Sequence, residues 1–129
     1  MKKLDLYRCE VCGNIIQVLH CGNGELICCG KNMTKLEPQK DESAMLEKHV
    51  PIFLDINGET EVRVGEVLHP MTDEHYIEFI EIISDDEKYS CIKFLDPHEE
   101  PKLNVKSISK LCKAREYCNI HGLWEGYND

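Results

Sequence analysis

The chain has 129 residues, and its 24 acidic and 15 basic side chains give a formal net charge of −9. This charge argues against a general nucleic-acid binder, which needs a basic face to neutralise phosphates, so small molecules or proteins are the expected partners. No apolar run approaches the roughly 20 residues of a membrane span, and the start MKKLDLYRCEVCG lacks the apolar stretch and cleavage site of a secretory signal.

Eight cysteines are the main feature of the composition. The missing signal predicts a cytoplasmic protein with no membrane partner. Because the cytosol keeps structural thiols reduced, these cysteines are predicted to be metal ligands or free thiols rather than disulfides. Five of them fall within residues 9–29, a segment with few large apolar residues. Such a short segment generally needs a metal in order to fold, so a metal-stapled region is predicted near the start of the chain.

Four of these cysteines form two pairs, each followed by glycine: Cys9 with Cys12 and, after fifteen intervening residues, Cys28 with Cys29. Glycine supplies the positive φ that such turns need. Four thiolates can form a tetrahedral site for zinc or for a single iron, and the residues alone do not select between a structural zinc and a redox-active iron. The adjacent second pair predicts a distorted site. Cys21 is predicted to be a spare reduced cysteine in a loop.

The polar stretch KLEPQKDESAMLEKH, which contains Pro38, is predicted to be a linker. Four strand-like runs follow it, EVRVGEV, YIEFIEIIS, YSCIKFL and LNVKSISKL, and the segments between them are rich in Asp, Pro and Glu. In the first run Val62, Val64 and Val67 are predicted to share one side. No helical periodicity competes with these runs, so an antiparallel sandwich or barrel of immunoglobulin-like architecture is predicted.

Four of the histidines in this second region stand at predicted strand edges or in loops, together with one late cysteine. They are His49, His69, His75 and His121, with Cys118. One histidine in such a place is more often a structural residue than a ligand. Four of them with a cysteine favour a shared metal. Iron with these five ligands would keep one octahedral position for a small oxidant, and the thiolate would push electron density towards it.

Glu47 and Lys48 precede the first of these histidines. Lys48 would create a local positive potential for an anionic substrate despite the overall negative charge. Glu47 is a carboxylate that could occupy the open position or relay protons. The alternative is an exposed charged pair in a solvated loop.

These residues give the chain a resemblance to the desulfoferrodoxin family, the two-iron superoxide reductases. The segments YRCEVCGNIIQVLH and ELICCGKNM resemble the four-cysteine desulforedoxin-type module, and EKHVP, HPMTDEHYI and CNIHG resemble the catalytic domain. The resemblance implies a mainly β protein. Residues 1–37 would be the desulforedoxin-like iron module, and residues 38–129 a catalytic, immunoglobulin-like antiparallel β-sandwich.

The resemblance also implies two mononuclear non-haem irons and their ligands. The first iron would be held by Cys9, Cys12, Cys28 and Cys29, and the second by His49, His69, His75 and His121 in the equatorial plane with Cys118 in the axial position. Glu47 would be the carboxylate that can ligate the oxidised iron. Lys48 would attract superoxide and help to supply protons.

The implied reaction is the reduction of superoxide by one electron and two protons to hydrogen peroxide. A rubredoxin-like donor would restore the electron, and a homodimer is implied. One alternative is an electron-transfer or redox-sensing iron protein without turnover, whose second site would be closed to added ligands. A zinc-ribbon interaction protein is disfavoured, because zinc would not require four histidines and an axial cysteine. Cys91 is predicted to be a buried small hydrophobe, Cys112 is predicted to stay reduced, and His98 has no assignment.

Overall fold

The computed structural model describes residues 1–41, 48–65, 68–106 and 112–128. Within these ranges it contains twelve β-strands and no helix, and so no helix that could span a membrane. The chain divides into two compact units, residues 1–37 and residues 38–129. The prediction of a mainly β protein is therefore confirmed.

The first unit contains five short strands. They are β1 (Leu6–Arg8), β2 (Ile15–Gln17), β3 (Ile27–Cys28), β4 (Lys31–Asn32) and β5 (Thr34–Lys35). Strands β2, β1 and β5 form an antiparallel sheet in that order, and β3 pairs with β4 as a hairpin. Leu6, Cys9 and Val18 are its buried apolar side chains. So small a core fits a unit that depends on a metal for its stability.

The second unit consists of two antiparallel sheets. One has the order β10 (Lys102–Val105), β7 (Glu59–Val64), β6 (Pro51–Ile56), and the other the order β12 (Gly122–Tyr127), β11 (Lys113–Cys118), β8 (Ile77–Ile83), β9 (Ser90–Phe94). Side chains alternate across a strand, so every second residue of each sheet faces the space between them. This arrangement is the predicted β-sandwich.

The core between the sheets is built from these alternating residues. Val62 and Val64 of β7 are fully buried and belong to one cluster with Ile80 and Ile82 of β8. The predicted alternation of the first run is thus confirmed for these two valines, while Val67 lies outside the described residues. At one edge of the sandwich a Cβ on Gly126 would lie 2.3 Å from the carbonyl oxygen of Pro51, so only glycine permits β12 to approach β6 this closely.

All eight cysteines lie in the described ranges and none forms a disulfide. Cys112, which is predicted to stay reduced, is buried in the core cluster. The prediction that Cys91 is buried is wrong: it is exposed on the edge strand β9. His98 is exposed, donates its backbone N–H to the carbonyl of Met71 at 2.7 Å, and places its ring 3.2 Å from the carboxylate of Asp73.

Candidate metal centres

The first cluster consists of the four paired cysteines, whose sulfur atoms all lie within 4.8 Å of one another. Cys9 follows β1, and the turn after it closes through a bond from the N–H of Gly13 to the Cys9 carbonyl at 2.9 Å, with φ of 85° at Gly13. Cys28 and Cys29 lie at the β3–β4 hairpin, where Cys29 has a φ of 54° and Gly30 a φ of 76°. The positive φ predicted for the two glycines is confirmed, and the adjacent ligand pair needs a third positive φ at Cys29.

The pKa values in this cluster diverge because its sulfurs crowd together. The pKa of Cys9 is lowered to about 6, chiefly by the backbone N–H of Cys12 that points to its sulfur. The pKa of Cys28 is raised to about 12, chiefly through its contact with the Cys12 sulfur, 3.6 Å away. Like charges at this distance oppose each other, so the four thiolates need a cation among them. A thiolate-bound metal therefore fits the cluster. Cys21 lies outside it, exposed, with its sulfur 3.0 Å from the carbonyl of Met1.

The second cluster brings the four predicted histidines together from four different places in the chain. His49 precedes β6, His69 follows β7, His75 precedes β8, and His121 lies in the turn between β11 and β12. Their rings form a closed square. Neighbouring ring centroids are separated by 4.6 Å for His49 and His69, 4.7 Å for His69 and His75, 5.1 Å for His75 and His121, and 4.8 Å for His121 and His49.

The sulfur of Cys118 completes this cluster. It lies 3.7 Å from Nε2 of His69 and 4.0 Å from Nδ1 of His121, and the donor atoms of these three residues and His49 all lie within 4.8 Å of one another. Nδ1 of His69 lies 2.7 Å from the carbonyl of Pro70, a contact that requires the proton on Nδ1 and directs the Nε2 lone pair to the sulfur side. The chain thus presents imidazole lone pairs and a thiolate to one small space.

The burial of the rings differs around the square. His49 and His69 are buried, whereas His75 and His121 are half-buried. Cys118 is fully buried at the end of β11, where the register with β8 shifts and the chain enters the turn to His121. The backbone N–H of His121 lies 3.4 Å from the Cys118 sulfur and donates to it, which stabilises the thiolate. His75 and His121 therefore form the less buried side of the cluster, although Nε2 of His75 is itself buried.

Asn119 holds the His75 segment against the turn that carries Cys118 and His121. Its side-chain oxygen accepts from the N–H of Tyr76 at 3.0 Å, and its side-chain nitrogen donates to the carbonyl of Glu74 at 3.0 Å. Its backbone N–H also donates to the carbonyl of Tyr76 at 3.2 Å. The side chain of Asn119 therefore fixes the residues on both sides of His75. Asn119 itself lies between two other candidate ligands in the sequence, Cys118 and His121.

Glu116 is a buried carboxylate beside the cluster that the sequence analysis missed. Both Glu116 and His49 are fully buried, and the carboxylate oxygen lies 3.6 Å from Nδ1 of His49. Because alternate residues of a strand share a face, Glu116 lies on the same side of β11 as Cys118. That spacing, an acidic residue two positions before a ligand at a strand end, is the signal that could have identified it. The carboxylate favours a proton on Nδ1 of His49 and leaves Nε2 for a metal.

The structure describes one of the two predicted catalytic residues. Lys48 is half-buried and directly precedes the buried His49. Glu47 lies outside the described residues.

Comparison with known proteins places this geometry in a family. Residues 41–127 match the family model described as Desulfoferrodoxin, and residues 1–36 match the model described as Desulfoferrodoxin, N-terminal domain. The chain belongs to the desulfoferrodoxin family. A desulfoferrodoxin from Desulfarculus baarsii is 46% identical over 127 residues, which cover 98% of each chain. The resemblance stated from the sequence is thereby confirmed.

Two solved structures share the fold. The superoxide reductase from Treponema pallidum superposes with a TM-score of 0.72 at 22% identity, covering 98% of this chain and 99% of that one. The one-iron superoxide reductase from Giardia intestinalis is 30% identical with a TM-score of 0.52, covering 63% of this chain and 96% of that one. The shorter match is consistent with a family in which the catalytic sandwich occurs with or without a preceding module.

Both donor sets of a two-iron desulfoferrodoxin are present in the chain. Four sulfurs form the first set, and four imidazoles with one sulfur form the second. Imidazole with a single thiolate suits iron, and an all-thiolate tetrahedron suits iron or zinc. The zinc-ribbon alternative does not account for the second set.

Proposed function

We propose that this protein is a superoxide reductase, which reduces superoxide by one electron to hydrogen peroxide at the second cluster. The observation that carries the proposal is the closed square of four imidazoles with the buried Cys118 sulfur beside it and with His75 and His121 on its less buried side. An electron-transfer protein needs no access for a substrate at its metal. The relative from Giardia intestinalis that bears the name superoxide reductase supports the same activity.

His49, His69, His75, His121 and Cys118 would hold the catalytic iron. Iron bound there supplies a single electron and an open ligand position for the substrate. The four imidazoles enter as neutral donors, each with its proton on the nitrogen that faces away from the cluster. The carbonyl of Pro70 holds that proton for His69, and the carboxylate of Glu116 favours it for His49. The N–H of His121 stabilises the negative charge on Cys118.

Lys48 and Glu47 are proposed as the catalytic side chains next to this centre. Superoxide is an anion and the chain carries a formal charge of −9, so capture benefits from a local cation. Lys48 is one residue from the buried His49, and its half-buried ammonium would attract the anion and provide a proton from Nζ. Glu47 is proposed as the carboxylate that relays protons or occupies the open position in the oxidised state, on the basis of its place two residues before His49.

The first 37 residues are proposed to be a desulforedoxin-like module that holds the other iron through Cys9, Cys12, Cys28 and Cys29, and residues 38–129 the catalytic domain. The division of the structure after Glu37 and the two family matches, to residues 1–36 and 41–127, support this assignment.

The proposed partners follow from the chemistry. Each turnover consumes one electron, so a one-electron donor of the rubredoxin type is proposed to restore it. A homodimer is proposed because the first unit exposes large apolar side chains, with Val11, Leu19 and Ile27 at 59%, 78% and 62% exposure. A cytoplasmic location is proposed because all eight cysteines are without disulfides.

Anaerobic pulses of superoxide delivered to the reduced protein test the activity. Iron oxidation, hydrogen peroxide and dioxygen are measured after each pulse. A superoxide reductase yields peroxide in proportion to the iron oxidised and releases no dioxygen, whereas a dismutase releases dioxygen. Oxidised iron without peroxide would favour the electron-transfer alternative and refute the proposal.

A further inference from the structure

The carbonyl oxygen of His121 accepts hydrogen bonds from two side chains. Nε1 of Trp124 donates to it at 3.1 Å and Nε2 of Gln39 donates to it at 2.8 Å. Gln39 is 82 residues away in the sequence, and neither donor belongs to any of the patterns that identify the metal ligands. A carbonyl with both lone pairs engaged in this way has little freedom to rotate.

Gln39 is itself fixed in position although its side chain is exposed. Its backbone N–H donates to the carbonyl of Leu123 at 2.9 Å, its backbone carbonyl accepts from the N–H of Glu125 at 3.0 Å, and it forms a parallel bridge with Trp124. Gly122 provides the space for its amide, since a Cβ there would lie 3.3 Å from Nε2 of Gln39. The amide therefore reaches His121 from a backbone that β12 already holds.

Trp124 contacts a second imidazole of the cluster as well. Its ring stacks on His49, with centroids 5.0 Å apart and an interplanar angle of 13°. Trp124 is 2% exposed, so its own orientation is fixed by packing. One indole thus restrains His49 through its face and His121 through its N–H, and these are neighbouring corners of the square.

We propose that Trp124 and Gln39 are positioning residues that fix His121 and His49 in the geometry of the second iron site. The atom of His121 that faces the Cys118 sulfur is Nδ1, at 4.0 Å. Nδ1 is bonded to Cγ, the ring atom attached to Cβ, so it lies closer to the His121 backbone than Nε2 does and follows movement of that backbone more directly. Hydrogen bonds that restrain the carbonyl of His121 therefore also restrain its Nδ1. This inference rests on the proposed function in so far as the cluster holds iron.

The test uses iron-loaded full-length protein, four single variants and one double variant. Gln39→Ala removes one donor, and Trp124→Phe removes the other while it keeps an aromatic face over His49. Their matched controls are Asn104→Ala, an exposed amide on β10, and Tyr127→Phe, an exposed aromatic at the end of β12. Two properties are measured without turnover: the electron paramagnetic resonance spectrum of the oxidised second iron, and the rate at which a chelator removes that iron.

Gln39→Ala and Trp124→Phe are each expected to alter the rhombicity of the spectrum and to weaken iron binding by about 10-fold, the lower end of what loss of an outer-shell partner produces. The double variant is expected to lose more than the product of the single effects, because in each single variant the other donor still holds the carbonyl. The spectrum of the four-cysteine iron should stay constant in every variant; because that cluster lies in the first unit, the midpoint of thermal unfolding is measured to check that the sandwich is folded.

Spectra and removal rates of Gln39→Ala equal to those of Asn104→Ala would overturn the inference. If the effects of the two single substitutions simply multiply in the double variant, the two donors act independently on His121. That result would also overturn the inference. A different result, absence of iron from the second site of the unaltered protein, would refute the proposed function instead.

Discussion

Substitution of Asn119 by alanine is expected to displace His75 while the other candidate ligands stay in place. The side chain of Asn119 makes two hydrogen bonds, to the N–H of Tyr76 and the carbonyl of Glu74, each of 3.0 Å. A net contribution of about 0.5–1.5 kcal/mol for each bond gives a loss of roughly 1–3 kcal/mol. Asn119 is exposed and water can replace part of this loss, so the lower half of the range is expected.

The two lost hydrogen bonds are the ones that hold the segment carrying His75. The backbone bond from Asn119 to Tyr76 at 3.2 Å remains in the variant, so the turn is loosened and not released. The sandwich should therefore stay folded at room temperature with a midpoint of unfolding lower by roughly 4–16 °C, since about 1 kcal/mol corresponds to roughly 4–8 °C in small domains. The second cluster should respond more strongly, because displacement of one imidazole donor would change both the affinity for iron and the symmetry of its ligand field.

The assay compares Asn119→Ala and Asn119→Asp with the unaltered protein. Aspartate keeps the acceptor for the N–H of Tyr76 but replaces the donor to Glu74 by an oxygen that repels the carbonyl, so it should not restore the site. Iron content, the resonance spectrum of the second iron and thermal unfolding are measured on the same samples. An unchanged spectrum and iron content in Asn119→Ala, with the expected fall in stability, would refute the claim that this residue positions His75.

Three further changes test other parts of the site. Cys118→Ser should reduce peroxide formation by about 100-fold or more, because the hydroxyl does not supply the thiolate charge; peroxide yields close to normal after superoxide pulses would contradict this. Glu116→Gln removes a buried negative charge, whose electrostatic attraction to the iron is worth about 1–3 kcal/mol at an effective dielectric of 20. The midpoint potential measured by redox titration should therefore rise by roughly 40–130 mV. Lys48→Ala should slow superoxide capture by roughly 10-fold at low salt with the iron retained; stopped-flow rates with unchanged magnitude and salt dependence would remove Lys48 from the mechanism.

The ligands could be predicted from the sequence because their chemistry is local. Two cysteine pairs closing on glycine specify a thiolate site by residue type and spacing alone, and Gly13 and Gly30 have the positive φ that this reading required. The four histidines and Cys118 are donor residues in loops and at strand ends, where such residues commonly converge. Their membership of one cluster needed the fold, since His49 and His121 lie 4.8 Å apart only after the two sheets pack.

The strands were predicted less completely. Strand β11 was missed because KAREYC has charged residues on both faces, so it shows no simple alternation of apolar and polar positions. The structure explains this: the guanidinium of Arg115 binds the carboxylate of Glu81 on β8, with Nε at 2.9 Å, and both side chains are buried. Paired charges can occupy a protein interior where single charges cannot. A sequence pattern gives no warning of the pair, because its members are 34 residues apart.

The position of a strand within its sheet is equally hidden from the sequence. Cys91 was predicted to be buried because the run YSCIKFL is rich in strand-forming residues. The prediction failed because Cys91 and Phe94 of the edge strand β9 are exposed, whereas β12, the other edge strand of the same sheet, is buried where it packs against β6. Burial depends on what packs against the faces of a strand, and that depends on the whole topology.

The two clusters therefore differ in how far the sequence determines them. All four ligands of the first lie within residues 9–29, in two turns that glycine and backbone N–H groups shape locally. The ligands of the second are held by contacts between distant segments: Asn119 reaches the His75 segment across more than forty residues, and Gln39 reaches His121 across 82. Residue types that hold iron can be identified one at a time, but the square of imidazoles exists only where the segments next to β6, β7 and β8 meet the turn between β11 and β12. The positioning residues are consequently ordinary amides and one indole, and only the fold distinguishes them from other surface and core side chains.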